Sequence, residues 1–304
     1  MEERRRGPQE TFRGRWSGVI LANPQGRGPP GRGGPFRCAG EPVNHRLWTL
    51  ERGEGPLVAV ALHHGHAVRP DVADALAIDP ADRLREEDPY TGLWTAVAPT
   101  RLVVHRSRFE VDMNRPRHEA VYDREVWGLT VWKGAGPPPD VRERSLRQYD
   151  AFYETLEAVV RDRVRRHGRV VVLDLHSYNH RRGGPWGPEA DPADNPDVNL
   201  GTGSLDRERW GGVADAFVHA LRGRTVLGRR LDVRENVRFQ GGWLSLWVHR
   251  TFPTSACALA VDVKKFFMDE WSGRAEPDAL HAIRDALGGA VRPAMEALGG
   301  REAA

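Results

Sequence analysis

Three apolar runs in this chain end in, or carry, side chains that can do chemistry. LVAVAL, Leu57 to Leu62, leads into His63, His64, Gly65 and His66. VVVLDL, Val170 to Leu175, carries Asp174 and leads into His176 and Ser177. ALAVDVKKFF carries Asp262. Five of the 12 histidines fall in the first two clusters: His63, His64, His66, His176 and His180. Two imidazoles and one carboxylate around an open fourth position make a catalytic zinc site, and His63 and His176 are the best imidazole candidates. The carboxylate can come from REEDPYTG, where Glu86, Glu87 and Asp88 precede a Pro-led turn. Asp174, two residues before His176, points the same way along a strand and can hold the other imidazole nitrogen. A carboxylate inside an apolar run, as at Asp262, needs a cation, a metal or a donor. It is read as a general base towards a zinc-held water, with a structural pair to Lys264 or Lys265 as the alternative.

Recognition of substrate is assigned to SRFEVDMNRPR, which puts Arg108, Asn114 and Arg115 in one stretch with Asp112 between them. Arginine's planar fork suits a substrate carboxylate; an ordinary ion pair with Asp112 or Glu110 is the plainer reading. In RFQGGWLS, Gly241 and Gly242 let the backbone approach a ligand closely, or form a turn. Other chemistries score poorly. G-x-x-x-x-G-K-[ST], H-E-x-x-H and G-x-S-x-G are all missing from the sequence. Ser177 cannot use His176 as its base, because neighbours in a strand face opposite ways.

These residues need a frame. In open α/β sheets the ligand crevice lies beyond the carboxyl ends of the strands. HRLWTLERGEGPLVAVALHHGH reads as strand, turn, strand, and RLVVHRSRFEVDM as a further pair of strands. Ser145 to His167 has apolar residues at helical spacing, with Ser145 as cap and Gly168 as stop. Val170 to Leu175 and Cys257 to Val263 read as buried strands, and Leu205 to Leu221 and Pro277 to Leu298 as helices. The alternation predicts an α/β fold: a single domain with a central mixed, mostly parallel sheet flanked by helices. Residues 1–41, rich in Arg, Gly and Pro, are expected to be irregular, with residues 42–304 as the catalytic domain. GRGPPG matches a dinucleotide loop by accident, having two prolines and no preceding strand.

Composition sets the outer limits. The chain has 304 residues and a net charge of +3, from 45 basic and 42 acidic side chains. That balance is too mild to argue for nucleic acid. No apolar stretch of about 18 residues predicts a membrane span, and no apolar segment near the N-terminus reads as a signal peptide. Cys38 and Cys257 stand far apart and form no zinc knuckle or disulfide framework, which suits a reducing cytoplasm.

ALHHGH, EEDPYTG, SRFEVDMNRPR, LDLHSYNHRRGG, RFQGGWLS and ALAVDVKKFFMDEW occur in the order seen in the N-formylglutamate amidohydrolase family. The resemblance spans roughly residues 45–275, and DLHS together with D-x-N-R-P is its most specific part. It implies a phosphorylase/hydrolase-like, zinc carboxypeptidase-like fold and a Zn²⁺-dependent amidohydrolase. It implies His63 and His176 as zinc ligands, with Asp88, or Glu87 close behind, as the acidic one. Asp174 and His64 stand as supports behind these ligands. Asn114 and Arg115 match the family's Asn-Arg, which implies recognition of a substrate carboxylate. Asp262 stands where the family commonly has Glu, its general base, and is one methylene shorter; His64 replaces a small residue, and His66 is extra. The implied substrate is a small acidic N-acyl amino acid or a peptide-like molecule. The rival readings are a peptidase on the same scaffold, a weakened hydrolase that binds carboxylates, and an Arg-rich nucleic-acid binder.

Overall fold

The computed structural model describes residues 46–299, all within one compact unit, Val43–Ala304. The Arg/Gly/Pro-rich segment, residues 1–41, lies outside the described residues. In chain order the elements are β1 (Trp48–Glu51), β2 (Leu57–Ala61), α1 (Pro70–Ala75), α2 (Pro80–Glu86), α3 (Thr91–Trp94), β3 (Thr100–Val104), β4 (Glu125–Val126), β5 (Leu129–Thr130), α4 (Pro139–His167), β6 (Val170–Tyr178), β7 (Val198–Gly201), α5 (Arg207–Arg222), β8 (Thr225–Val226), β9 (Arg229–Arg230), β10 (Val233–Glu235), α6 (Trp243–Thr251), β11 (Ala256–Lys264) and α7 (Pro277–Gly299).

Seven strands form one sheet in the order β1-β3-β2-β6-β11-β7-β10. β3, β2, β6 and β11 run parallel, as do β7 and β10, while the β1–β3 and β11–β7 pairs are antiparallel. The fold is therefore the expected α/β one, with a mixed, mostly parallel sheet between helices. Every residue of β2, β6 and β11 is buried, as strands covered on both faces must be.

Alternation along the strands separates two cores. Val171, Leu173, Leu175, Leu259 and Val261 pack with residues of α5 and α7. Val170, Val172, Ala256 and Ala258 pack with residues of α4 and α6. Asp174, His176 and Asp262 continue this second row, so one sheet face changes from apolar to ionisable towards the strands' carboxyl ends.

Some local expectations shift. β1 and β2 are both strands, as read, but β3 lies between them. RLVVHRSRFEVDM yields only β3, because residues 105–113 leave the sheet to surround the site. α4 begins at Pro139, a residue pre-organised for a first turn. Ser145 is consequently no cap: it is buried in the helix, and its hydroxyl accepts from Arg69 Nη2 at 3.1 Å. Gly168 ends α4 as expected.

Candidate functional site

β2 delivers His63 two residues beyond its end at Ala61, and β6 carries His176. Asp88 follows α2 and is tied to the first of these by its backbone N–H, which donates to the His63 carbonyl at 2.9 Å. One ligand atom each from His63, Asp88 and His176 lies within 4.8 Å of the others, and all three residues are buried. His63 Nδ1 lies 3.4 Å from Asp88 Oδ2, and His176 Nδ1 lies 3.0 Å from it.

The far nitrogens of both imidazoles face a second carboxylate. His63 Nε2 is 2.7 Å from Asp112 Oδ1. His176 Nε2 is 2.8 Å from Asp174 Oδ1, at an angle that leaves both buried Asp174 oxygens without a hydrogen bond. Carboxylates behind histidines in this way set tautomer and orientation for metal binding. His63 Nδ1 is buried with no hydrogen-bond partner. An orphaned nitrogen beside a carboxylate and a second imidazole fits a divalent cation, and two nitrogens with one oxygen suit zinc.

The electrostatics favour positive charge at this centre. Burial would raise Asp88, but the hydrogen bond from His176 and the charge of both imidazoles hold its carboxyl well below the usual range. Burial would likewise raise Asp112, yet the Arg108 guanidinium, with His63 and Tyr122, holds it far down. His176 is pushed the other way: burial lowers it, but the charges of Asp174 and Asp88 raise it well above its ordinary value.

The two acidic candidates separate. Asp88 joins the cluster, whereas Glu87 receives His66 Nδ1 at 2.5 Å and the Ser107 hydroxyl. His64 stands apart from the ligand set. Its Nδ1 accepts from the Gly92 N–H at 3.3 Å, and burial together with neighbouring His105 lowers its pKa to about 4.

Asp262 lies level with His176 on one side and Asn199 on the other. Asn199 Nδ2 donates to its Oδ2 at 3.1 Å. Burial pushes the Asp262 carboxyl up to about 7, against the charge of His176 and the Asn199 hydrogen bond, while Asp174 and Asp88 add to the rise. The suggested lysine partners go elsewhere. Lys264 Nζ meets Asp197 and the Asn195 carbonyl. Lys265 Nζ donates to the Arg85 and Glu87 carbonyls and to Asn179 Oδ1, fastening the turn that carries Asp88.

Of the residues expected to meet substrate, Asn114 Nδ2 lies 3.2 Å from His176 Nε2, and its Oδ1 accepts from Leu244 N at 3.0 Å. Gly242 makes that contact possible, since a Cβ there would stand 2.3 Å from the Asn114 amide, while Gly241 (φ +100°) makes the turn before α6. Arg108 takes the ion-pair reading: Nη2 donates to Asp112 Oδ2 at 2.8 Å, Nε to Tyr122 Oη and Nη1 to the Glu86 carbonyl. Arg115 is about one-third exposed, and its ion-pair contacts, to Asp112 and Glu119, are loose at 3.7 and 3.8 Å.

Two participants went unread in the sequence. Asp112, in sequence a partner for the neighbouring arginines, also holds His63. Asn199 sits in the four-residue strand β7 and carried no signal. Its Oδ1 accepts the backbone N–H groups of Val237 and Arg238, so it ties that loop to Asp262.

Solved structures bear on the fold. An N-formylglutamate amidohydrolase from Ralstonia eutropha JMP134 superposes with a TM-score of 0.65 at 19% identity, over 84% of this chain and 99% of its own. The gene product Atu2144 from Agrobacterium tumefaciens gives 0.63 at 17%, over 83% and 96%. A metallo-carboxypeptidase from Burkholderia cenocepacia gives 0.32 at 14%, over 80% and 57%. No curated protein matches significantly. The family described as N-formylglutamate amidohydrolase matches residues 55–265. That span exceeds half of the chain and contains every member of the His63–Asp88–His176 cluster together with Asp262, so the chain belongs to the N-formylglutamate amidohydrolase family.

Proposed function

We propose that the protein is a zinc-dependent hydrolase of an amide bond in a carboxylate-bearing substrate of the N-formylglutamate or other N-acyl amino acid type. The observation that carries this reading is the buried His63 Nδ1, without a partner, facing Asp88 and His176. A zinc ion held by His63, Asp88 and His176 would polarise the amide carbonyl and lower the pKa of a water molecule towards about 7. Asp262 takes the proton from the attacking water and hands it to the leaving nitrogen as the C–N bond breaks. Asn199 orients its carboxylate. Asp112 and Asp174 keep the two imidazoles in the ligating tautomer. Arg115, the looser of the two arginines, anchors the substrate carboxylate, with Asn114 beside it and Arg108 holding Asp112 behind it. The products are a carboxylic acid and a free amine.

The cytoplasm is the proposed compartment, supported by cysteine usage; Cys257 is a free, buried thiol. Among the described residues no helix is long and apolar enough to cross a membrane.

Metal analysis of the purified protein, combined with a panel of N-formyl and N-acetyl glutamate and aspartate, short peptides and amides lacking a carboxylate, tests the reading. About one zinc per chain and turnover of the acidic N-acyl amino acids are expected. Peptide cleavage alone would move the protein to the peptidase reading. Protein that takes up no zinc and hydrolyses none of the panel would overturn the proposal.

A further inference from the structure

β4 and β5 form a hairpin whose register pairs Val126 with Leu129 and leaves Trp127 and Gly128 as its two turn residues. Both have positive φ, +52° and +81°, as two-residue hairpin turns that suit strand twist require. Gly128 adopts this freely. For a bulky residue such as Trp127 it is an outlier, and such strain persists where the surroundings hold it. What holds it is the recognition stretch. The Trp127 ring lies 4.7 Å from the Arg108 guanidinium and 5.9 Å from that of Arg115. It also meets Tyr122 and Phe109 edge-on, at 5.5 and 6.2 Å. Despite these contacts the side chain remains 38% exposed. Arg115 is meanwhile stacked over Tyr122 at 5.0 Å.

An aromatic corner thus surrounds the arginine whose ion pairs are loose. A guanidinium held over aromatic faces is attracted to them and loses rotamer freedom before any ligand arrives. We propose that Trp127 is a positioning residue for the carboxylate subsite: its ring holds the Arg115 fork ready and forms the apolar wall beside the bound carboxylate. This rests on Arg115 being the carboxylate anchor. The strained turn is the cost of presenting the indole from a short hairpin. Trp127 takes no part in bond breaking, so its contribution belongs to KM and not to kcat.

The test uses the full chain and two readouts: kinetics on N-formylglutamate, and calorimetric binding, in a D262N background that slows turnover, of N-acetylglutamate against its diamide, which has no carboxylate. W127A should raise KM, and the Kd for N-acetylglutamate, about three- to thirtyfold, with kcat within about twofold and diamide binding unchanged. W127F should restore most of the affinity, because it keeps an aromatic face. W127L keeps apolar bulk without that face and should stay weak, which covers the case in which W127A folds poorly. In an R115A background W127A should cost less than about twofold, since the two residues act as one unit. Unchanged carboxylate affinity in W127A and W127L would overturn the proposal while leaving the anchor in place, as would equal losses on the diamide. D262N protein with Arg115 and Trp127 intact that binds N-acetylglutamate no better than the diamide would remove the anchor reading and this proposal together.

Discussion

At the scale of single residues, adjacent side chains have separate work. His63 and His64 are neighbours, yet only His63 faces Asp88; His64 is turned to Gly92 and His105. H176A and H63A should each strip the metal and abolish hydrolysis, while H64A should keep the metal; metal content after dialysis checks this. A D112N variant should weaken metal affinity about 10- to 100-fold, the usual cost of losing a carboxylate behind a ligating histidine. Asp262 offers a sharper comparison. D262N should retain fold and metal but lose about 10²–10⁴ in kcat, the contribution of a general base. D262E restores the length the family commonly has. Asn199 holds Oδ2 at 3.1 Å, a contact that a side chain one methylene longer would displace, so D262E should be slower than wild type. Native-rate hydrolysis by D262N would make the residue structural.

At the scale of elements, helix α6 holds a pH-sensitive link to β11. His249 Nε2 accepts the Ala258 N–H at 2.9 Å, and Nδ1 stands 2.8 Å from the Ser204 hydroxyl. Burial lowers its pKa from 6.5 to about 4. The folded state therefore refuses a proton that the unfolded chain takes up between these values. Its contribution to stability is complete above pH 6.5, shrinks as pH falls, and levels off below about 4. The whole effect is at most about 3 kcal/mol. H249Q can still accept from Ala258, so denaturant unfolding of H249Q across this window should show a flatter pH dependence than wild type. Equal slopes would remove His249 as the cause.

At the scale of the whole molecule, the His63–Asp88–His176 cluster joins the end of β2, the turn after α2 and the carboxyl end of β6, which are distant in sequence. A ligand that binds only the folded state stabilises it by mass action, by about 4 kcal/mol at a thousand times its Kd. For a domain of this size each kcal/mol is worth about 2–4 °C. Chelation should therefore lower Tm by about 8–16 °C, and H176A should melt at one temperature with or without chelator. A wild-type Tm indifferent to chelator would argue that the cluster holds no structural or catalytic metal.

Some of this was open in the sequence because it is local. Strand alternation puts Asp174 and His176 on one face, and a strand's last apolar residue marks where His63 must emerge. The apolar periodicity of α4, α5 and α7 and the burial of β2, β6 and β11 are likewise properties of a few consecutive residues, and they define the fold class and most of the cluster. The helix start at Pro139 is local too, since a proline suits a first turn. Other decisions belong to the tertiary structure alone. The choice of Asp88 over Glu87 depends on which carboxylate the Lys265 clamp and the Ser107 and His66 contacts leave free to face the histidines. Asp112 reaches His63 across 49 residues, and Asn199 reaches Asp262 across 63. The insertion of β3 between β1 and β2, and the seating of Trp127 on two arginines, are also pairings of distant segments. Such contacts are selected by packing and by satisfying buried polar groups once the sheet has formed, and no local pattern records them.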